Sequence, residues 1–137
     1  MYQLSRILFL LFFSLSLLGC SSNQYDMNFV EGVVTMDGSP LPNARVTFTP
    51  KDGRPSYGIT DDSGHYELRY IRDIMGAEAG QHTVSITTEH KAPPVTAPPV
   101  EQPPEKIPPR YNRGTTLSAS VQKGENQFNF DLESTKR

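Results

Sequence analysis

The sequence predicts an all-β domain, a seven-stranded antiparallel Greek-key sandwich, lying after an N-terminal export signal. Three observations carry this prediction. Apolar and polar side chains alternate over short runs, as strands with one buried face require. Gly, Pro, Asp and Asn separate the runs. The runs recur about every ten residues, the spacing of an antiparallel sandwich. A barrel is the runner-up.

The first strand covers residues 29–36, which are rich in β-branched side chains and end at the turn dipeptide Asp37-Gly38. Pro40 and Pro42 keep the next connection out of helix and ladder, because proline has no N–H to donate. In the second strand Ala44, Val46 and Phe48 alternate with Arg45, Thr47 and Thr49. A turn at residues 51–54 leads to the third, residues 56–61, closed by the tight loop Asp62-Ser63-Gly64. The fourth sets Tyr66, Leu68 and Tyr70 against Glu67 and Arg69. Residues 72–80 have room for one helical turn, bounded by Gly76 and Gly80. His82, Val84 and Ile86 mark the fifth strand, Leu117, Ala119 and Val121 the sixth, and Phe128, Phe130 and Leu132 the seventh. Gly32 is expected to admit a close approach by a facing strand or side chain, and Gly64 to supply a positive φ.

Ahead of the domain, Arg6 is the sole charged side chain before Asp26, and it precedes an apolar run over residues 7–18. Positive charge, apolar run and then a small residue is the order of a secretory signal. A bilayer crossing takes about 20 residues, more than this run offers. The run ends in Leu17-Leu18-Gly19-Cys20, which resembles the lipobox of bacterial lipoproteins. The resemblance implies removal of residues 1–19 by cleavage between Gly19 and Cys20. It further implies a diacylglycerol on the Cys20 thiol and an N-acyl chain on its amine. Several acyl chains anchor stably where one is marginal. Residues 20–27 then form a lipidated tether, and residues 28–133 the sandwich. The seven tether residues after Cys20 reach at most about 25 Å, which keeps the domain close to the membrane. Ser21 stands where an Asp would favour inner-membrane retention, so the outer membrane is weakly favoured.

Cleavage would leave 118 residues with 12 basic and 15 acidic side chains, a formal charge of −3. The absence of any basic block argues against nucleic acid as a partner. Cys20 is the sole cysteine, so the fold rests on its core without an internal disulfide.

Pro-Pro pairs at Pro93-Pro94, Pro98-Pro99, Pro103-Pro104 and Pro108-Pro109 repeat every five residues within a loop at 91–110. Such a segment favours polyproline II and cannot pair as a central strand. It is either a stiff connection between strands or a docking loop for an aromatic-lined partner.

No catalytic constellation stands out. There is no Gly-x-Ser-x-Gly elbow, and Asp61-Asp62-Ser63-Gly64 falls short of the 6–8 oxygens that calcium takes. His82 and His90 are evenly spaced along one expected strand, but eight residues of strand would set them about 27 Å apart, too far for one ion. No metal site or cofactor is therefore expected, beyond the covalent lipid.

Several stretches resemble carboxypeptidase regulatory-like domains: Val30-Glu31-Gly32-Val33-Val34, the run from Asp37-Gly38 through Phe48, Thr60-Asp61-Asp62-Ser63-Gly64-His65-Tyr66-Glu67-Leu68, and Gly80-Gln81-His82-Thr83-Val84. Ile107-Pro108-Pro109-Arg110-Tyr111-Asn112 and Phe128-Asn129-Phe130-Asp131-Leu132 are similar to segments of small lipoproteins of the planctomycete type. The resemblance implies a transthyretin-like (prealbumin-like) sandwich used as an accessory module without a shared active site. The Tyr-Arg-Gly-Ser ending of the one enzyme branch of that fold is missing here. The expected function is a non-catalytic binding or structural module at the cell envelope, held by its lipid and meeting an envelope protein or glycan. The alternative is a carbohydrate-binding or cell-wall accessory module, using Tyr25, Tyr57, Tyr66, Tyr70 or Tyr111 in the absence of Trp.

Overall fold

The structure, a computed structural model, describes residues 25–89 and 104–134. Its organising element is β1 (Met27–Met36), along which buried and half-exposed residues alternate. Asn28, Val30, Gly32 and Val34 point inward, while Phe29, Glu31, Val33 and Thr35 line the outer face. This is the period of two expected of a strand covered on one side.

Around β1 a small sheet assembles. On one edge β5 (His65–Glu67) pairs antiparallel with its middle, flanked by β2 (Ser39–Pro40) and β8 (Ala77–Glu78) at its two ends. The β1–β2 hairpin turns through Asp37 and Gly38 at φ 50° and 83°, the positive pair that matches the twist of two strands joined by two residues. On the other edge lie β11 (Glu125–Gln127) and β12 (Phe130–Leu132), both parallel to β1. The second sheet runs β10-β9-β3-β4-β6-β7, with β3 (Arg45–Pro50), β4 (Ser56–Ile59), β6 (Arg69–Ile71), β7 (Ile74–Met75), β9 (Gly80–Thr87) and β10 (Ser118–Val121).

The chain is thus an all-β sandwich, and each of the seven expected segments contains a strand. Three details differ from the sequence reading. The fourth segment is broken into two short strands, β5 and β6, and the seventh is shortened to β12, with β11 lying just ahead of it. The helical turn expected over residues 72–80 is absent; β7 and β8 occupy it, turning at Gly76, whose N–H donates to Leu68 O at 2.7 Å. The pairing is antiparallel everywhere except between β1 and the two C-terminal strands, which run parallel to it.

The parallel edge is secured where the chain changes sheet. Residues 122–124 carry the chain from β10 in one sheet to β11 in the other, and Asn126 fixes that crossing. Its amide donates to Gln122 O (2.8 Å) and Phe29 O (3.2 Å), and its Oδ1 accepts from Gln122 N (2.8 Å). Asn28 Oδ1 accepts the Gly124 N–H at 2.9 Å. Side-chain amides thereby satisfy the backbone groups that a sheet change leaves without ladder partners.

Between the sheets Val30, Val34, Tyr66, Leu68, Phe130 and Leu132 meet Val46, Phe48, Val84, Ile86, Ala119 and Val121. Phe48 sits at the centre, its ring 5.7 Å from Phe128 and 6.2 Å from Phe130.

Candidate functional site

Gly19, Cys20, Pro93, Pro94, Pro98, Pro99 and Pro103 lie outside the described residues, as does His90. Of the expected docking loop, Pro104, Pro108 and Pro109 are described, and they belong to a segment tied into the domain. Ile107 is buried in the core. Pro109 opens a short 3-10 turn, Pro109–Tyr111, where a fixed φ and a missing N–H cost nothing. The C-terminal end of the loop is therefore part of the fold.

Glu105 makes that attachment. One carboxylate oxygen accepts Thr88 N–H (3.0 Å), Thr88 hydroxyl (2.7 Å) and Ile107 N–H (2.9 Å), and the other accepts the Thr87 hydroxyl. Partial burial opposes ionisation, but the hydrogen bonds from Thr87, Thr88 and Ile107 together outweigh it and hold the carboxyl at about 2. A group with a depressed folded pKa stabilises the fold above its unfolded value and loses that contribution as pH falls through the folded one. The staple should therefore weaken between roughly pH 4.5 and 2. Glu105→Gln is expected to cost about 1–2 kcal/mol at neutral pH, a range that allows for solvent screening of a half-buried group. Thermal melts of both proteins from neutral to acid pH check this: the gap should close toward pH 2, and a constant gap would contradict it.

The tyrosines do not form one platform. Tyr66 is buried, which pushes its phenol pKa up, and its hydroxyl donates to Phe128 O at 2.8 Å. Tyr111 OH accepts the Glu133 N–H, and the Arg110 guanidinium lies 4.7 Å from the Tyr111 ring centroid. Tyr25 packs on Tyr70 with centroids 5.4 Å apart. Tyr57 is exposed, with the Arg45 guanidinium over its ring at 5.3 Å.

The Asp61 carboxylate is occupied within its own turn. Its Oδ1 accepts Ser63 N–H (2.8 Å), Ser63 hydroxyl (2.7 Å) and His65 N–H (3.0 Å), and the Ser63 hydroxyl contributes most to lowering its pKa. This is the turn role expected of it, and it sets the start of β5. His82 is buried against Phe48, its Nε2–H donating to Glu78 O at 2.8 Å.

The turn delivers His65 to the outer face of the β1–β5 pair. There the register places Glu31 directly opposite Glu67, and Val33 opposite His65. His65 and Glu67, two apart on one strand, point the same way. One ligand atom from each of Glu31, His65 and Glu67 lies within 4.8 Å of the others, and His65 Nε2 is 3.2 Å from Glu31 Oε2. The cluster borders a groove of about 380 Å³ lined by Tyr57, Ile59, Asp61, Arg69 and Met75 as well as His65 and Glu67. The sequence reading missed this group, because Glu31 is 34 residues from His65 and only the strand register joins them. The alternation His65-x-Glu67 was the one visible signal.

The chain matches no family model and none of the curated proteins. Among solved structures it is similar to a DUF3823 family protein from Parabacteroides merdae, at a TM-score of 0.40 and 14% identity. That similarity covers 77% of this chain and 45% of the other, so the chain spans less than half the length of that structure.

Proposed function

We propose that the protein is a cell-envelope lipoprotein, anchored through Cys20 on the extracytoplasmic side of a membrane, with the outer membrane weakly favoured. Its domain is a carboxypeptidase regulatory-like, transthyretin-type module that binds or braces an envelope protein or glycan without catalysing a reaction. The observation that carries this reading is Leu17-Leu18-Gly19-Cys20 directly after an apolar run too short to span a bilayer. The start of β1 at Met27, seven residues beyond Cys20, supports a domain held within about 25 Å of the lipid surface.

Cys20→Ser removes the sulfur that takes the lipid. The variant is expected to lose metabolic palmitate label and to persist as the longer, unprocessed chain. Normal labelling of Cys20→Ser would overturn the anchor assignment.

A further inference from the structure

We propose that Glu31, His65 and Glu67 form a binding site for a divalent transition-metal ion of the zinc class. The proposal stands on the sandwich alone and is independent of the envelope reading.

The first argument is the donor set. One imidazole nitrogen and two carboxylates make a three-ligand set that zinc accepts, with a fourth position left to water or an outside ligand. Around a tetrahedral ion, donors at ~2.1 Å lie about 3.4 Å apart. Ligand atoms already within 4.8 Å therefore close on one ion by side-chain shifts of about 1 Å, without backbone movement. Glu31 and His65 have side chains 40% and 35% exposed, which leaves them free to make such moves and leaves an ion reachable from solvent.

The second argument is charge. Like charges directly opposite on neighbouring strands are destabilising, yet Glu31 and Glu67 face each other in register. Among the described residues His65 is the one ion-pair partner either of them has. Gln127, which pairs with Glu31 across its other edge, is neutral. A bound cation relieves this repulsion.

The third argument is rigidity. The Asp61 carboxylate holds the His65 N–H, and β5 pairs with β1 at all three of its residues. The backbone under the ligands is fixed before any ion arrives, so binding orders only side chains.

The test is calorimetric titration of zinc chloride into the untagged full chain in detergent, in a non-chelating buffer, with four proteins compared. The natural sequence is expected to saturate at one zinc per chain and to melt at a higher temperature with zinc, since an ion held by the folded state alone stabilises it. His65→Asn and Glu67→Gln, both conservative changes at the surface, should weaken zinc binding roughly tenfold or more while their circular dichroism stays unchanged. His90→Asn should bind like the natural sequence. The proposal is overturned if the natural chain shows no saturable uptake. It is overturned equally if His65→Asn and Glu67→Gln bind zinc unchanged, or if His90→Asn abolishes binding.

Discussion

Gly32→Ala is expected to destabilise the domain strongly, because a single added methyl group has no room there. A Cβ at Gly32 would stand 1.8 Å from the Phe128 carbonyl oxygen and 3.0 Å from the Tyr66 ring. The oxygen cannot retreat easily. It accepts the buried Tyr66 hydroxyl at 2.8 Å, and the Phe128 N–H donates to Glu31 O at 2.9 Å. This is the point where the C-terminal strand breaks between β11 and β12. Asn129 Oδ1 accepts the Val33 N–H at 2.9 Å, so a side chain replaces the backbone across the gap while the register on either side stays the same. Overpacking against fixed backbone costs up to about 3 kcal/mol, a fall in melting temperature of roughly 12–24 °C at that upper end for a domain this size. Gly114→Ala is the matched control, because its Cβ would meet nothing nearer than 3.9 Å. Equal melting temperatures for the two variants would contradict the close approach.

Phe48→Ala is expected to cost at least as much. Phe48 is fully buried, and its ring is surrounded by those of Phe128, Phe130 and His82, with centroids 5.7–6.2 Å away. Truncation removes both the transfer term and the packing of three rings, about 3–5 kcal/mol. Phe48→Leu retains most of the volume and should cost much less. Urea denaturation separates the cases: the midpoint should drop sharply for Ala, and a drop no larger than for Leu would mean the ring is not the core's centre.

The legible parts of this fold are those in which a residue's role depends on its neighbours in sequence. Alternation located all seven strand segments, since inward Val30 and Val34 or Val46 and Phe48 must recur every second residue. Asp37-Gly38 announced its turn, and Gly32 its close approach. What could not be read depends on partners far along the chain. The break beside Leu68 follows from a change of sheet, and the break at Phe128 from its close approach to Gly32, which Asn129 and the Tyr66 hydroxyl make tolerable by replacing ladder bonds. The parallel placement of β11 and β12 beside β1 links residues 96 apart, and no local pattern encodes it. The Glu31, His65 and Glu67 cluster was hidden for the same reason. Histidine spacing does not reveal it, because its other two members are carboxylates on a strand surface. Glu105 reads as one more charge in a proline-rich stretch until Thr87 and Thr88 stand beside it.

The central claim is that this sandwich is delivered to, and held at, a membrane by its only cysteine. The most direct measurement is the intact mass and N-terminal fragment spectrum of the protein extracted from its native membranes. The account predicts a mature chain beginning at Cys20 and carrying the mass of a diacylglycerol and an N-acyl group. A chain that begins elsewhere, or a Cys20 with no lipid, would contradict it.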